Sequence, residues 1–493
     1  MKTKDHSPTY LRQRIQEYQD NPLIEALPPI MGLREAALHM MYRPPFELGE
    51  KSFSVEERWH LLGRLKHIVA PRPHFYQLER TVSRLIRTGY VLRNPCKPET
   101  WQAVYKAQEN MPPPLLHRHL TATDSEAVVV GLSGMGKTTA IDAVLRTYPQ
   151  QLIQHQRWHN KPLPVKQLVW LKITCPKNGS ILAFCREFSR QLDRALGTNE
   201  YEEMYSRSRV TTDEAEAMMR QHSATYFLGV LVIDEIQRLS TAKSGGTERL
   251  LDFIQNLRDM LKVPIVLVGT YKAVNLFKSE MKDARRASES GLIDFRRPMC
   301  RDAEWDKLVE RIWHYQWLHT FSPLTTSMLD RLFDLTQGVT DFLVILFKLA
   351  QQRAMEDGSE TLSEMAIQTT YDESLTLLHP AINALRKNTI ESLFAFEDLL
   401  PPDRYLKELK DTQNLNIDFV EGELDDLFKS SMHAASASTP SPAKKNKSRH
   451  RPQLDDPNDL RHAATQLSPL DFLHETGQLN TDLPGLGQGV PDE

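Results

Sequence analysis

The sequence predicts an α/β protein built on a parallel sheet flanked by helices, and three observations carry that prediction. Between about residues 123 and 298, short apolar runs rich in β-branched residues alternate with helical patterns, as in a parallel sheet covered on both faces. The first run, residues 127–130 (AVVV), leads into Gly131-Leu132-Ser133-Gly134-Met135-Gly136-Lys137-Thr138, which fits G-x-x-x-x-G-K-[ST] at every position. About one hundred residues later a second run, LGVLVIDE, ends in Asp234 and Glu235.

Composition sets the outer bounds. The chain has 493 residues, enough for several domains, with 40% hydrophobic and 25% charged residues, as in an ordinary globular protein. Its formal net charge of −3 excludes a polycation, so any nucleic-acid surface must be local. The four cysteines, Cys96, Cys175, Cys185 and Cys300, form no C-x-x-C pair and read as reduced thiols of a cytoplasmic protein. The first residues, MKTKDHSPTYLRQR, lack the apolar core of a signal peptide, and no run approaches the roughly 18 apolar residues of a membrane span.

In chain order, residues 1–122 read as a helical N-terminal module that meets a partner or DNA. It carries a proline-broken stretch, NPLIEALPPI, and helical patterns near residues 33–41, 55–66 and 75–89. Leu78, Val82, Leu85 and Ile86 mark an apolar face. Arg64, Lys66, Arg72, Arg80, Arg84 and Arg87 suggest a basic one, which is either a solvated face or a contact surface. The α/β core spans 123–298, with strands expected at 127–130, 167–174, 227–233, 265–268 and 292–295, a loop over 197–212, and an amphipathic helix after Gly245-Gly246. Residues 299–380 turn wholly helical, a lid arrangement, and Trp305, Trp313, Tyr315 and Trp317 fall at mixed phases that favour core packing over stacking on a ligand. Residues 381–429 form a helical then acidic extension. Residues 430–452 lack apolar content, and 430–493 are expected to be a disordered tail whose apolar island 467–479 is a docking peptide.

The motifs carry a definite chemistry. A strand, a glycine loop and a helix starting near Thr139 together make a phosphate cradle. The glycines let backbone N–H groups converge on phosphate oxygens, and the helix N-terminus adds positive potential. Lys137 would reach the β- and γ-phosphates and the Thr138 hydroxyl would ligate Mg²⁺. Asp234 would complete the metal shell, with Glu235 polarising the attacking water. The site is expected between the tips of two adjacent strands. Thr270, at the end of PIVLVGT, is either a γ-phosphate sensor or a turn threonine. Arg285 and Arg286 are candidates to neutralise γ-phosphoryl charge in a neighbouring subunit, or else form a solvated turn; Arg296 and Arg297 are lesser candidates. Lys172, Lys177, Arg238 and Lys243 are candidate DNA-phosphate contacts, with solvated charge as the alternative.

These residues resemble the AAA+ ATPases: Walker A is GLSGMGKT, Walker B is LVIDE, Thr270 stands at the sensor position, and a helical lid follows. Within that group the chain is similar to the TnsC/TniB family of transposition regulators, on the stretches NPLIEALPPI, VVVGLSGMGKTT, LVIDEIQRL and LVGTYKA, over roughly residues 20–360. The resemblance implies that the protein binds ATP and Mg²⁺ and assembles into rings or helical filaments on double-stranded DNA. It also implies a link from a target-selection protein (TnsD/TniQ-like), met by the N-terminal module, to transposase subunits (TnsA/TnsB-like), met by the C-terminal tail. Hydrolysis would disassemble the homo-oligomer. One departure stands out: the lid stretch Gly338-Val-Thr-Asp341-Phe has no arginine to touch the γ-phosphate in cis. Two other readings compete, a replication-initiator or helicase-loader ATPase and a nucleotide-binding adaptor without turnover.

Overall fold

The computed structural model describes residues 8–108, 126–177, 180–207, 209–241, 252–254, 263–273 and 292–388. Arg285, Arg286, Lys243, most of the helical pattern after Gly246 and the whole stretch 389–493 lie outside the described residues. Five parallel strands form the central sheet: β1 (Glu126–Gly131), β4 (Trp170–Thr174), β5 (Val230–Asp234), β6 (Ile265–Val268) and β7 (Leu292–Phe295), in the order β4-β5-β6-β1-β7. β1 pairs with β6 through Val128 opposite Leu267 and with β7 through Val129 opposite Ile293. Every residue of β1, β5 and β6 is buried, which explains their continuous rather than alternating apolar pattern. β6 lies between β1 and β5, so the two motif-bearing strands are not neighbours, contrary to the expectation of adjacent tips.

A two-stranded antiparallel hairpin, β2 (Leu152–Trp158) and β3 (Lys161–Leu168), stands beside this sheet. The sequence reading merged residues 167–174 into one strand; the chain instead breaks at Val169, whose N–H donates to Gln151 O at 2.8 Å. Gln167 closes the hairpin, buried between His155 Nε2 and the Leu23 carbonyl at 2.8 Å each. The turn is His159-Asn160, both in the left-handed region (φ 44° and 62°), a weaker written signal than Asn-Gly. The expected loop 197–212 likewise contains a helix, Glu200–Ser206, anchored by Tyr205 in the core and by Asp193 accepting from the Glu202 N–H at 2.6 Å.

The N-terminal helices α1 (Pro22–Glu25), α2 (Leu33–Met40), α3 (Val55–Leu61) and α4 (Pro73–Val91) divide between two cores. α4 starts with Pro73 in its first turn and buries Phe75, Leu78, Val82, Leu85 and Ile86 at helical spacing against the sheet and α6 (Lys137–Arg146). Arg87 is not on a basic outer face of α4, as the sequence suggested. It is 2% exposed and donates to Ser83 and to the Pro28 carbonyl, because α1 and the following proline turn cover that side. Leu62 and Leu65 instead join the second core, which is that of the lid. The lid comprises α10 (Ala303–Trp313), α11 (Thr326–Thr336), α12 (Thr340–Glu356), α13 (Glu364–Ser374) and α14 (His379–Lys387). Trp305, Trp313, Tyr315 and Trp317 are all buried in it, as their mixed phases predicted.

One buried pair ties α3 to the lid. Arg58 is 1% exposed and grips Glu360 with two bonds of 2.7 Å while donating to the Trp317 carbonyl at 2.9 Å. Arg58→Met should cost about 3 kcal/mol, the lower end for breaking a buried pair, because Glu360 keeps an edge to solvent. The Arg58 hydrogen bonds hold the Glu360 carboxyl below its ordinary value of 4.5. That stabilisation is complete above pH 4.5 and is lost as pH falls through the depressed folded value. Urea unfolding should therefore show the gap between wild type and variant closing as pH falls below 4.5; a gap unchanged with pH would reject the ion pair as its source.

Candidate functional site

The glycine loop leaves β1 and turns into α6 over Gly131–Gly136. Leu132 and Met135 are buried and anchor it, while Ser133, Thr138 and Thr139 stay exposed at its mouth. Gly134 has φ +81°, and a Cβ there would lie 3.0 Å from Val339 and 3.1 Å from Asp341 of the lid. Its carbonyl accepts the Asp341 N–H at 3.0 Å. The lid thus touches the loop through backbone at the start of α12, at the place where the sequence lacks an arginine. Lys137 Nζ donates to the loop carbonyls of Gly131 and Leu132 at 3.0 and 2.8 Å.

The acidic side of the site comes from β5. Thr138 Oγ1 donates to Asp234 Oδ2 at 3.1 Å, and the Glu235 N–H donates to Asp234 Oδ1 at 2.9 Å. A hydroxyl and a carboxylate meeting in this way suit a hard divalent cation. Among the described residues no cluster of three His, Cys, Asp or Glu side chains exists, so such an ion would draw its other ligands from phosphate and water. Glu235 sits in the left-handed region at φ +63°, a strained conformation for a residue with a Cβ. Its carboxylate accepts from Gln237 Nε2 at 2.9 Å and lies 3.5 Å from Arg238 Nε. Gln237 Oε1 in turn accepts the Thr270 N–H at 3.1 Å. The Thr270 hydroxyl is buried and has no hydrogen-bond partner among the described residues.

These groups line one cleft of about 790 Å³ between the sheet's C-terminal edge, the N-terminal segment and the lid. Its polar end holds Gly134, Lys137, Thr138, Asp234, Glu235 and Thr270. Its apolar end holds Leu65, Ile68, Val69, Leu308, Ile312 and Val344, drawn from the N-terminal segment and the lid. Arg72 joins the three parts: Nη2 donates to the Met135 carbonyl at 2.8 Å and Nε lies 3.8 Å from Glu304 of α10. Burial lowers the Arg72 pKa from its ordinary value, and Glu304 opposes that shift.

The sequence-predicted residues meet different fates. Lys137, Thr138, Asp234, Glu235 and Thr270 converge. Lys177 and Arg238 also line the cleft, Arg238 against Glu235. Lys172 turns toward Asp142 at 2.6 Å and Asp234 at 3.5 Å. Arg297 is no exposed candidate: it is 8% exposed and bonds the Leu385 carbonyl and Asn388 at the end of α14. Burial pushes its pKa down to about 10. Sequence reasoning missed Gln237 and did not assign Arg72 to the site; Gln237 lay in sight three residues after Asp234, whereas nothing local marks Arg72 as a loop contact.

No curated protein matches the chain. Solved structures that resemble it include the Walker-type ATPase PABY2304 of Pyrococcus abyssi, at 12% identity and a TM-score of 0.35 over 59% of this chain and 78% of that one. Cdc6p of Pyrobaculum aerophilum superposes at 14% identity and 0.38 over 61% and 68%. The ADP form of ORC2 of Aeropyrum pernix does so at 14% and 0.34 over 67% and 93%. Residues 121–277 match the family described as AAA domain, and that match, on a five-stranded parallel sheet with its glycine loop at the C-terminal edge, gives this chain the AAA+ P-loop NTPase fold.

Proposed function

We propose that the chain binds ATP with Mg²⁺ and hydrolyses it, and that it does so as a DNA-bound oligomer regulating transposition. The observation that carries the nucleotide reading is the meeting of Thr138 and Asp234 at the mouth of the glycine loop, with Glu235 alongside. The loop N–H groups and Lys137 would hold the phosphates, and the apolar end of the cleft fits a purine. Magnesium would offset charge that develops at the γ-phosphoryl. Glu235 would orient the attacking water, and the Thr270 hydroxyl, without a partner among the described residues, would take a phosphate oxygen or that water.

The transposition reading is supported by the stretches NPLIEALPPI, LVIDEIQRL and LVGTYKA. The oligomer would coat double-stranded DNA, with Lys177 and Lys243 as backbone contacts and Arg285 or Arg286 acting in trans on a neighbour's nucleotide. The N-terminal module would meet the target-selection protein, and the tail would meet transposase subunits. Electron microscopy of the protein with duplex DNA and a non-hydrolysable ATP analogue tests this directly. Continuous protein coating supports it; bare duplex rejects it. Affinity for the duplex should also fall steeply with salt.

Three variants probe the site. Glu235→Gln should lower turnover about a hundredfold and hold the ATP-bound assembly on DNA; turnover at the original rate would remove Glu235 from the water-positioning role. Thr270→Val should leave the stability of the nucleotide-free protein unchanged or slightly higher, since an unpaired buried hydroxyl is replaced by a methyl, while turnover drops. A marked loss of stability would instead mean that the hydroxyl has a structural partner. Gly134→Ala should weaken nucleotide affinity roughly tenfold through the positive φ and the clash with the lid, read by calorimetry.

A further inference from the structure

Asp234 is 5% exposed, and its Oδ2 receives two groups from different sides. Thr138 Oγ1 approaches from the cleft at 3.1 Å, and Lys172 Nζ stands 3.5 Å away. Lys172 belongs to β4, where it lies opposite Val232, and it is not part of the cleft lining. A second carboxylate, Asp142 of α6, holds the same ammonium at 2.6 Å, and Asp142 is half exposed whereas Lys172 is 21% exposed. One ammonium is therefore shared between a buried carboxylate that lines the cleft and an outer carboxylate that does not.

Charge decides how that sharing responds to a divalent ion. A buried carboxylate without a cation nearby is costly, so the ammonium stabilises Asp234 when no metal is bound. A cation of twice the charge arriving at the same carboxylate repels the ammonium, and water screens that repulsion little at a buried position. Asp142 offers the displaced ammonium a partner already within reach.

We propose that Lys172 is a positioning residue for the magnesium site, a resident counter-ion that divides between Asp234 and Asp142 and so sets how much magnesium nucleotide binding requires. This rests on the reading of Thr138 and Asp234 as a magnesium–nucleotide site. Lys172→Met removes the competing cation and leaves metal-free Asp234 with only the Thr138 and Glu235 hydrogen bonds, so both effects favour magnesium. Asp142→Asn takes away the outer partner and keeps the ammonium on Asp234, which disfavours it.

The test is a magnesium titration of fluorescent ATP-analogue binding to the full chain, with an EDTA arm for each variant. The readout is the ratio of nucleotide affinities with and without magnesium, in which a general loss of fold or of nucleotide affinity cancels. Lys172→Met should lower the half-saturating magnesium concentration on the order of tenfold, and Asp142→Asn should raise it severalfold. Lys172→Arg, which keeps the cation, should stay near wild type. Shifts of the two variants in the same direction, or no shift in either, overturn the proposal while nucleotide binding by the wild type still stands. If the wild type binds no nucleotide in either arm, the site reading itself fails and this inference falls with it.

Discussion

The contact between the Thr138 hydroxyl and the Asp234 carboxylate is made across a gap that the sheet order imposes. β1 and β5 are separated by β6, so their tips stand roughly 10 Å apart, two strand spacings. The glycine loop and the first turn of α6 carry Thr138 back over the end of β6 to close that gap to 3.1 Å. A Cβ at Gly269, just past β6, would come within 2.7 Å of Ile236 and 2.8 Å of Gln237. Gly269 therefore lets the β6 tip pack closely against the residues that follow β5.

The legible part of this site was the part encoded locally. A phosphate loop is a set of φ values and N–H directions within eight residues, and Asp234-Glu235 is a strand end, so both can be read from a short window. What was not legible was set at a distance. Arg87 looked like a surface charge because its helical phase was read without knowing that the proline turn at Pro28 covers it. Lys172 looked like a surface lysine because Asp142, its 2.6 Å partner, lies thirty residues earlier on another element. The hairpin escaped because its first strand, LIQHQRW, shows polar residues where a written strand signal would show apolar ones, and its buried polar groups, His155 and Gln167, satisfy one another.

Three arginines, Arg58 and Arg297 buried and Arg72 part-buried, explain how a chain with two hydrophobic cores surrounds one cleft. Arg58 fastens the N-terminal segment to the lid through Glu360 and the Trp317 carbonyl. Arg72 fastens the same segment to the phosphate loop and reaches toward Glu304. Arg297 fastens the end of β7 to the end of α14. Arg58 and Arg297 give donors to backbone carbonyls as well as side chains, which fixes position more tightly than a side-chain pair alone. The N-terminal segment is consequently a wall of the cleft, supplying Leu65, Ile68 and Val69 to its apolar end, and a change in its attachment alters the site.

The geometry around Glu235 carries the argument one step further. Its backbone is held at positive φ, a conformation that persists only where neighbours enforce it. The enforcing neighbours are the Asp234 carboxylate, which takes its N–H, and Gln237, which holds its side chain. Gln237 also takes the N–H of Thr270, so the carboxylate at the β5 tip and the backbone just past the β6 tip are joined through one amide. A phosphate that drew the Thr270 loop toward itself would pull on that amide, and with it on Glu235. Register between the two strands, set by Leu231 opposite Ile265 and Ile233 opposite Leu267, keeps the two tips level so that a single side chain can span them.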